Sequence, residues 1–111
     1  MLASRMKIYG IPCSSDRFAA FEVANWRIGR RGACAIVRRI PGVEVLKRPV
    51  FLSWFREEVF CQFRVGDHTF EIEEPFGDNS RYWVGPAGIG EGKALEWVPE
   101  IELVRAAFEQ A

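Results

Sequence analysis

Val59-Phe60-Cys61-Gln62-Phe63-Arg64-Val65, then Gly66-Asp67, then His68-Thr69-Phe70-Glu71-Ile72-Glu73 is the stretch that decides the fold class. Both flanks alternate apolar and polar side chains, which is the period of a half-buried strand. Gly66-Asp67 is a two-residue loop suited to a type II′ hairpin turn, with glycine supplying the positive φ. The turn sets the register. Val65 faces His68, Phe63 faces Phe70 and Cys61 faces Ile72, and these residues form one apolar face. Arg64, Gln62 and Phe60 face Thr69, Glu71 and Glu73 on the other side. A slip of one residue would bury Glu71 and Glu73, so the pairing is well specified. One covered face and one wet face is what an antiparallel sheet presents.

Toward the C-terminus, residues 74–79 read as a turn and residues 81–84 as the next strand. Gly66-Asp67-His68-Thr69 and Gly77-Asp78-Asn79-Ser80 echo each other at hairpin spacing, which suits a meander. Residues 85–93 carry four of the ten glycines and read as a flexible loop. A closing helix follows. Pro99 suits its first turn, and Glu100 and Glu102 sit well against the N-terminal dipole. Trp97, Ile101, Val104 and Phe108 form its apolar stripe, joined by Leu103 and Ala107.

Toward the N-terminus, residues 6–11 read as a first strand that ends at Pro12. Residues 1–5 read as a dispensable tail. Phe18, Phe21, Ala24 and Ile28 fall near helical spacing, so a helix is expected from about Asp16. The alternation of Ala24, Trp26 and Ile28 is the competing strand reading for residues 21–28. Gly29-Arg30-Arg31-Gly32 breaks the pattern, and Ala33, Ile36, Val37 and Ile40 mark a second helix. Pro41-Gly42 stops it, and residues 43–47 form a short strand.

The expectation is therefore a single α+β domain over residues 1–111, with an antiparallel sheet of four to five strands as a meander and helices packed mainly on one face. Nine Phe, four Trp and two Tyr, with 49% hydrophobic residues, exclude a disordered chain. No apolar run approaches the length of a membrane span. The N-terminus lacks a signal-peptide core. With three cysteines in no paired spacing, this gives reduced thiols in a cytoplasmic protein.

The net charge is zero but unevenly distributed. Residues 1–50 hold ten bases and three acids, a balance of +7, while residues 51–111 hold five bases and twelve acids, a balance of −7. Either the halves pair their charges across the fold, or a basic face meets an acidic partner, or copies associate head to tail.

Cys13 is the weak catalytic candidate. Met6-Lys7-Ile8-Tyr9-Gly10-Ile11-Pro12-Cys13 resembles the opening of arsenate-reductase-like proteins of the thioredoxin fold, and Leu46-Lys47-Arg48-Pro49-Val50 is similar to that family's Lys-Arg-Pro stretch. The resemblance implies a reactive cysteine after the first strand, facing a helix N-terminus that lowers its pKa. The cysteine comes one residue early and the family's helical insert has no room, so the chain is not assigned to that family.

His68 lacks the clustered soft ligands of a zinc site, and no metal is expected. Lys93-Ala94 departs from the Walker pattern, and there is no G-x-S-x-G elbow. No cofactor is expected. Two surfaces remain as partner-binding candidates. One is a basic ridge of Arg27, Arg30, Arg31, Arg38 and Arg39, suited to nucleic acid or an acidic protein. The other is the wet sheet face with Glu71, Glu73, Arg64, Arg81, Trp83 and Phe60. The favoured reading is a small interaction protein that binds another protein or a second copy of itself. In size and composition it is similar to bacterial regulatory or toxin-neutralising (immunity-type) proteins. The alternatives are a thiol-dependent redox enzyme using Cys13 and nucleic-acid binding through the arginines.

Overall fold

The computed structural model describes residues 7–13, 17–24, 28–47, 59–74, 81–89 and 94–111. The tail expected at 1–5, Trp26, Arg27 and the turn residues 75–79 lie outside them. Along the chain the elements are β1 (Ile8–Pro12), β2 (Phe18–Ala24), α1 (Gly29–Val37), β3 (Glu44–Lys47), β4 (Val59–Val65), β5 (His68–Glu73), β6 (Arg81–Pro86) and α2 (Glu100–Glu109). The six strands form one sheet in the order β1-β2-β6-β5-β4-β3. Every neighbouring pair is antiparallel. The fold is α+β with an open antiparallel sheet.

The strand count corrects the expected four to five. β3 to β6 run as a meander, but β1 and β2 form a separate hairpin that docks through β2 onto β6. The added strand is the segment whose apolar spacing suggested a helix. Residues 18, 21 and 24 do fall at helical intervals. In the structure, however, Phe21 and Val23 turn inward while Glu22 and Ala24 remain partly exposed. Ladders on both sides, to β1 and to β6, satisfy its backbone, and this overrides a short and ambiguous period. Helix begins only at Gly29, where φ is 62°.

The β4–β5 hairpin keeps the pairs Val65–His68, Arg64–Thr69, Phe63–Phe70, Gln62–Glu71 and Cys61–Ile72. Gly66 takes φ 62°, the sign its turn requires. One expected pair fails. The register shifts between Val59 and Cys61, so Val59 and not Phe60 faces Glu73. This bulge turns Phe60 off the wet face and into the core, where its ring lies 4.8 Å from Tyr82.

Registers across the sheet join Phe21 to Val84, Val84 to Ile72 and Ile72 to Cys61. These four side chains form a fully buried row. Phe21 meets Phe108 of α2 edge to face at 5.5 Å. Cys61 meets Cys34 of α1. The two helices also touch each other. α1 buries Ala33, Cys34, Ile36 and Val37, and α2 buries Ile101, Val104 and Phe108. Leu103, expected in the apolar stripe of α2, is 44% exposed. Neither helix has a side-chain N-cap bond. Their stability therefore comes from the faces they bury.

The expected loop at residues 85–93 begins later than its glycines suggest. Gly85 and Pro86 belong to β6, an interior strand. A Cβ on Gly85 would stand 2.6 Å from the Cβ of Ala20 and 2.7 Å from the Trp83 ring. The glycine admits a close approach between neighbouring strands. Gly85→Val is expected to lower stability by about 2 kcal/mol through overpacking, read as a fall in the urea unfolding midpoint. An unchanged midpoint would show that Ala20 and Trp83 yield freely.

Candidate functional site

On the sheet face opposite the buried row, registers align Tyr9 with Glu22, Glu22 with Trp83, and Trp83 with Glu73. The result is an alternating aromatic–acid–aromatic–acid row across β1, β2, β6 and β5. All four residues are partly exposed. Arg81 pairs with Glu22 at 3.2 Å. Its guanidinium also lies 3.6 Å from the centre of the Tyr9 ring, with the Lys7 ammonium 5.2 Å from the same centre. Cation–π contact of this kind orients the phenol ring.

Glu71, Glu73, Arg64, Arg81 and Trp83 thus share the face on which alternation placed them. Glu71 differs in burial. It is only 9% exposed and accepts a hydrogen bond from Gln62 at 3.5 Å. It faces Gly85. Arg64 is exposed and bridges to Glu44 across β3.

The arginine ridge does not stay together. Arg30 leans over the core end of the sheet, 4.8 Å from the centre of the Phe60 ring, and bridges to Glu74 at 2.9 Å. Its Nε also donates to the same carboxylate oxygen at 3.1 Å. The pair is largely buried, at 14% and 8% side-chain exposure. Tyr82 lies beside it. Burial first, and then the charge of Glu74, pushes the Tyr82 phenol up to about 12, with Arg30 opposing. Arg31, Arg38 and Arg39 are exposed and make no ion pair among the described residues. Arg31 and Arg38, seven residues apart, fall on one side of α1.

Cys13 is half-buried at the end of the first hairpin strand, and its Sγ lies 3.4 Å from the Arg17 carbonyl. The chain continues into strand β2. The strand–cysteine–helix arrangement implied by the thioredoxin-fold resemblance is absent, and with it the helix dipole that would acidify the thiol. His68 Nε2 lies 3.7 Å from Glu100. Among the described residues no helix is long and apolar enough to cross a membrane.

Four residues of these clusters escape a reading by sequence: Tyr9, Glu22, Glu74 and Tyr82. Tyr9 and Glu22 join the row only once residues 18–24 are a strand. Glu74 had a usable signal, since it keeps the parity of Phe70 and Ile72 and so belongs to the buried side.

Compared with family models, with curated proteins and with solved structures, the chain gives no match.

Two predictions follow from the Arg30–Glu74–Tyr82 cluster. Arg30→Met leaves Glu74 buried without its counter-charge and is expected to cost about 3 kcal/mol, whereas Arg31→Ala leaves the unfolding midpoint unchanged. Equal effects of the two would show that Arg30 is solvated like its neighbour. Folded Tyr82 holds its proton more tightly than the unfolded chain does. Its contribution is therefore complete below pH 10 and is lost as pH rises to about 12. Urea titrations across the alkaline range should show a steeper loss for the wild type than for Tyr82→Phe. Parallel curves would refute a buried phenol.

Proposed function

We propose that the protein is a small cytoplasmic interaction module of the regulatory or immunity type, which recognises another protein through the sheet face bearing Tyr9, Glu22, Trp83, Glu73 and Arg81. The carrying observation is the cross-strand row. Two large aromatic rings, both partly exposed, alternate with acids on four adjacent strands, and Arg81 braces the Tyr9 ring. Rigid aromatics with fixed charges beside them supply contact area at little entropic cost, which is what a protein-binding surface requires. We read both helices as covering the opposite face. In support of this, Phe21 and Cys61 lie in one register row and carry α2 and α1 respectively.

A second reading rests on a separate observation. Arg31, Arg38 and Arg39 are exposed on and after α1 with no ion pair among the described residues. Such a ridge suits nucleic acid or an acidic protein.

A tagged pull-down from native lysate at low and high salt tests both readings. It compares the wild type with Tyr9→Ala/Glu73→Lys and with Arg31→Glu/Arg38→Glu, each checked for fold by circular dichroism. One stoichiometric protein, kept by the helix variant and lost by the sheet variant, is expected. Nucleic acid that is released by salt and lost only in the helix variant would replace the first reading with the second. An eluate holding this chain alone would overturn both, and sedimentation would then report whether a second copy is the partner.

A further inference from the structure

We infer that Cys34 and Cys61 are a paired redox modification site, which a small-molecule disulfide such as oxidised glutathione converts to an intrachain disulfide joining α1 to β4. Their Sγ atoms lie 3.1 Å apart, within one thiol-to-thiol hydrogen bond. They come from different elements, 27 residues apart in sequence, and both are buried, at 2% and 0% exposure. Closing that gap to bond length takes a movement of roughly 1 Å. The third cysteine, Cys13, follows β1, with its Sγ 3.4 Å from the Arg17 carbonyl.

The reaction balances with the named oxidant. One cysteine thiolate attacks a sulfur of oxidised glutathione, and the departing glutathione thiolate takes up a proton. The second cysteine sulfur attacks the resulting mixed disulfide and releases a second glutathione thiol. Two cysteine thiols and one small disulfide thus become one protein disulfide and two small thiols. Neither sulfur is open to solvent in the folded state, and the Cys34 thiol beside it, together with burial, raises the Cys61 thiol far above its ordinary value. Oxidation therefore requires α1 to lift from β4. α1 is suited to that opening. Its N-cap is Ile28 with no side-chain bond, its first turn has no acid, and Gly29 and Gly32 lie within it. Once formed, the bond holds the helix on the sheet and restricts the unfolded chain.

The sequence makes the test direct, because trypsin places the three cysteines on separate peptides, residues 8–17, 32–38 and 57–64. The full chain and its Cys13→Ala variant are incubated with oxidised glutathione, both natively and during refolding from urea, and then mapped without reduction. We expect a monomer lacking two hydrogens, a linked peptide joining 32–38 to 57–64 in both proteins, and a melting temperature raised on the order of 10 °C that returns with dithiothreitol. Recovery of Cys34 and Cys61 as thiols or glutathione adducts after refolding, with or without Cys13-linked dimers, would overturn the inference. The outcome is independent of which surface binds a partner.

Discussion

The buried row Phe21–Val84–Ile72–Cys61 is the constraint on which the rest of the structure depends. It takes one side chain from each of four adjacent strands, and each is fully buried. Removing such side chains from water contributes on the order of 2 kcal/mol apiece. The row's larger effect is on parity. Side chains alternate along a strand, so fixing these four inward fixes Glu22, Trp83, Glu71 and Gln62 outward. The helices depend on the same row. α1 and α2 lack side-chain caps, and α1 contains glycine in its first turn. They persist because Cys34 meets one end of the row and Phe108 meets the other.

Legibility in the sequence followed the strength of local constraints. The hairpin of β4 and β5 could be read pair by pair, because a two-residue turn and strict alternation leave one register. The C-terminal helix was readable from its period; the second helix was readable in part, since α1 already begins at Gly29, in the segment read as a break, and ends at Val37, before Ile40. Phe18–Ala24 was not, since seven residues with small alanines satisfy both periods, and only the ladders to β1 and β6 decide between them. The bulge at Phe60 was equally hidden. Nothing local distinguishes a register shift there, yet it moves an aromatic ring from one face to the other. Gly85 gave a real signal that composition obscured. Among so many nearby glycines it looked like loop, although its neighbours Trp83 and Val84 belong to a strand that continues through it.

The charge segregation along the chain resolves in an unexpected sense. Among the described residues, three ion pairs join the two halves: Arg30–Glu74, Arg64–Glu44 and Arg81–Glu22. Only the first joins a base of the basic half to an acid of the acidic half. The other two use the scarce acids of the first half, Glu44 and Glu22, to neutralise bases of the second. Pairing among the described residues therefore neutralises more acids than bases of the first half. The surplus appears at Arg31, Arg38 and Arg39, while Glu96 and Asp67 remain exposed acids elsewhere. Zero net charge thus hides an uneven layout, and an uneven layout of this kind produces a field that acts on charged molecules during encounter.

Burial then divides the charged residues between the interior and the surface. Arg30 and Glu71 look equivalent to Arg31 and Glu73 in the sequence, because each is one or two positions from its counterpart and bears the same charge. The fold separates them. Arg30 lies over Phe60 against a buried carboxylate, and Glu71 sits opposite Gly85, where neighbouring strands approach closely. Changing either alters a buried group, so a loss of binding after such a change carries no information about a surface. Arg31, Arg38, Arg39, Glu73, Arg81 and the rings of Tyr9 and Trp83 are among the groups that remain accessible. They separate into the bases on and just after α1 and the aromatic–acid row of the sheet. The two groups differ in chemistry, and substitutions confined to them leave the buried Arg30–Glu74 pair intact, so their effects can be read separately from stability.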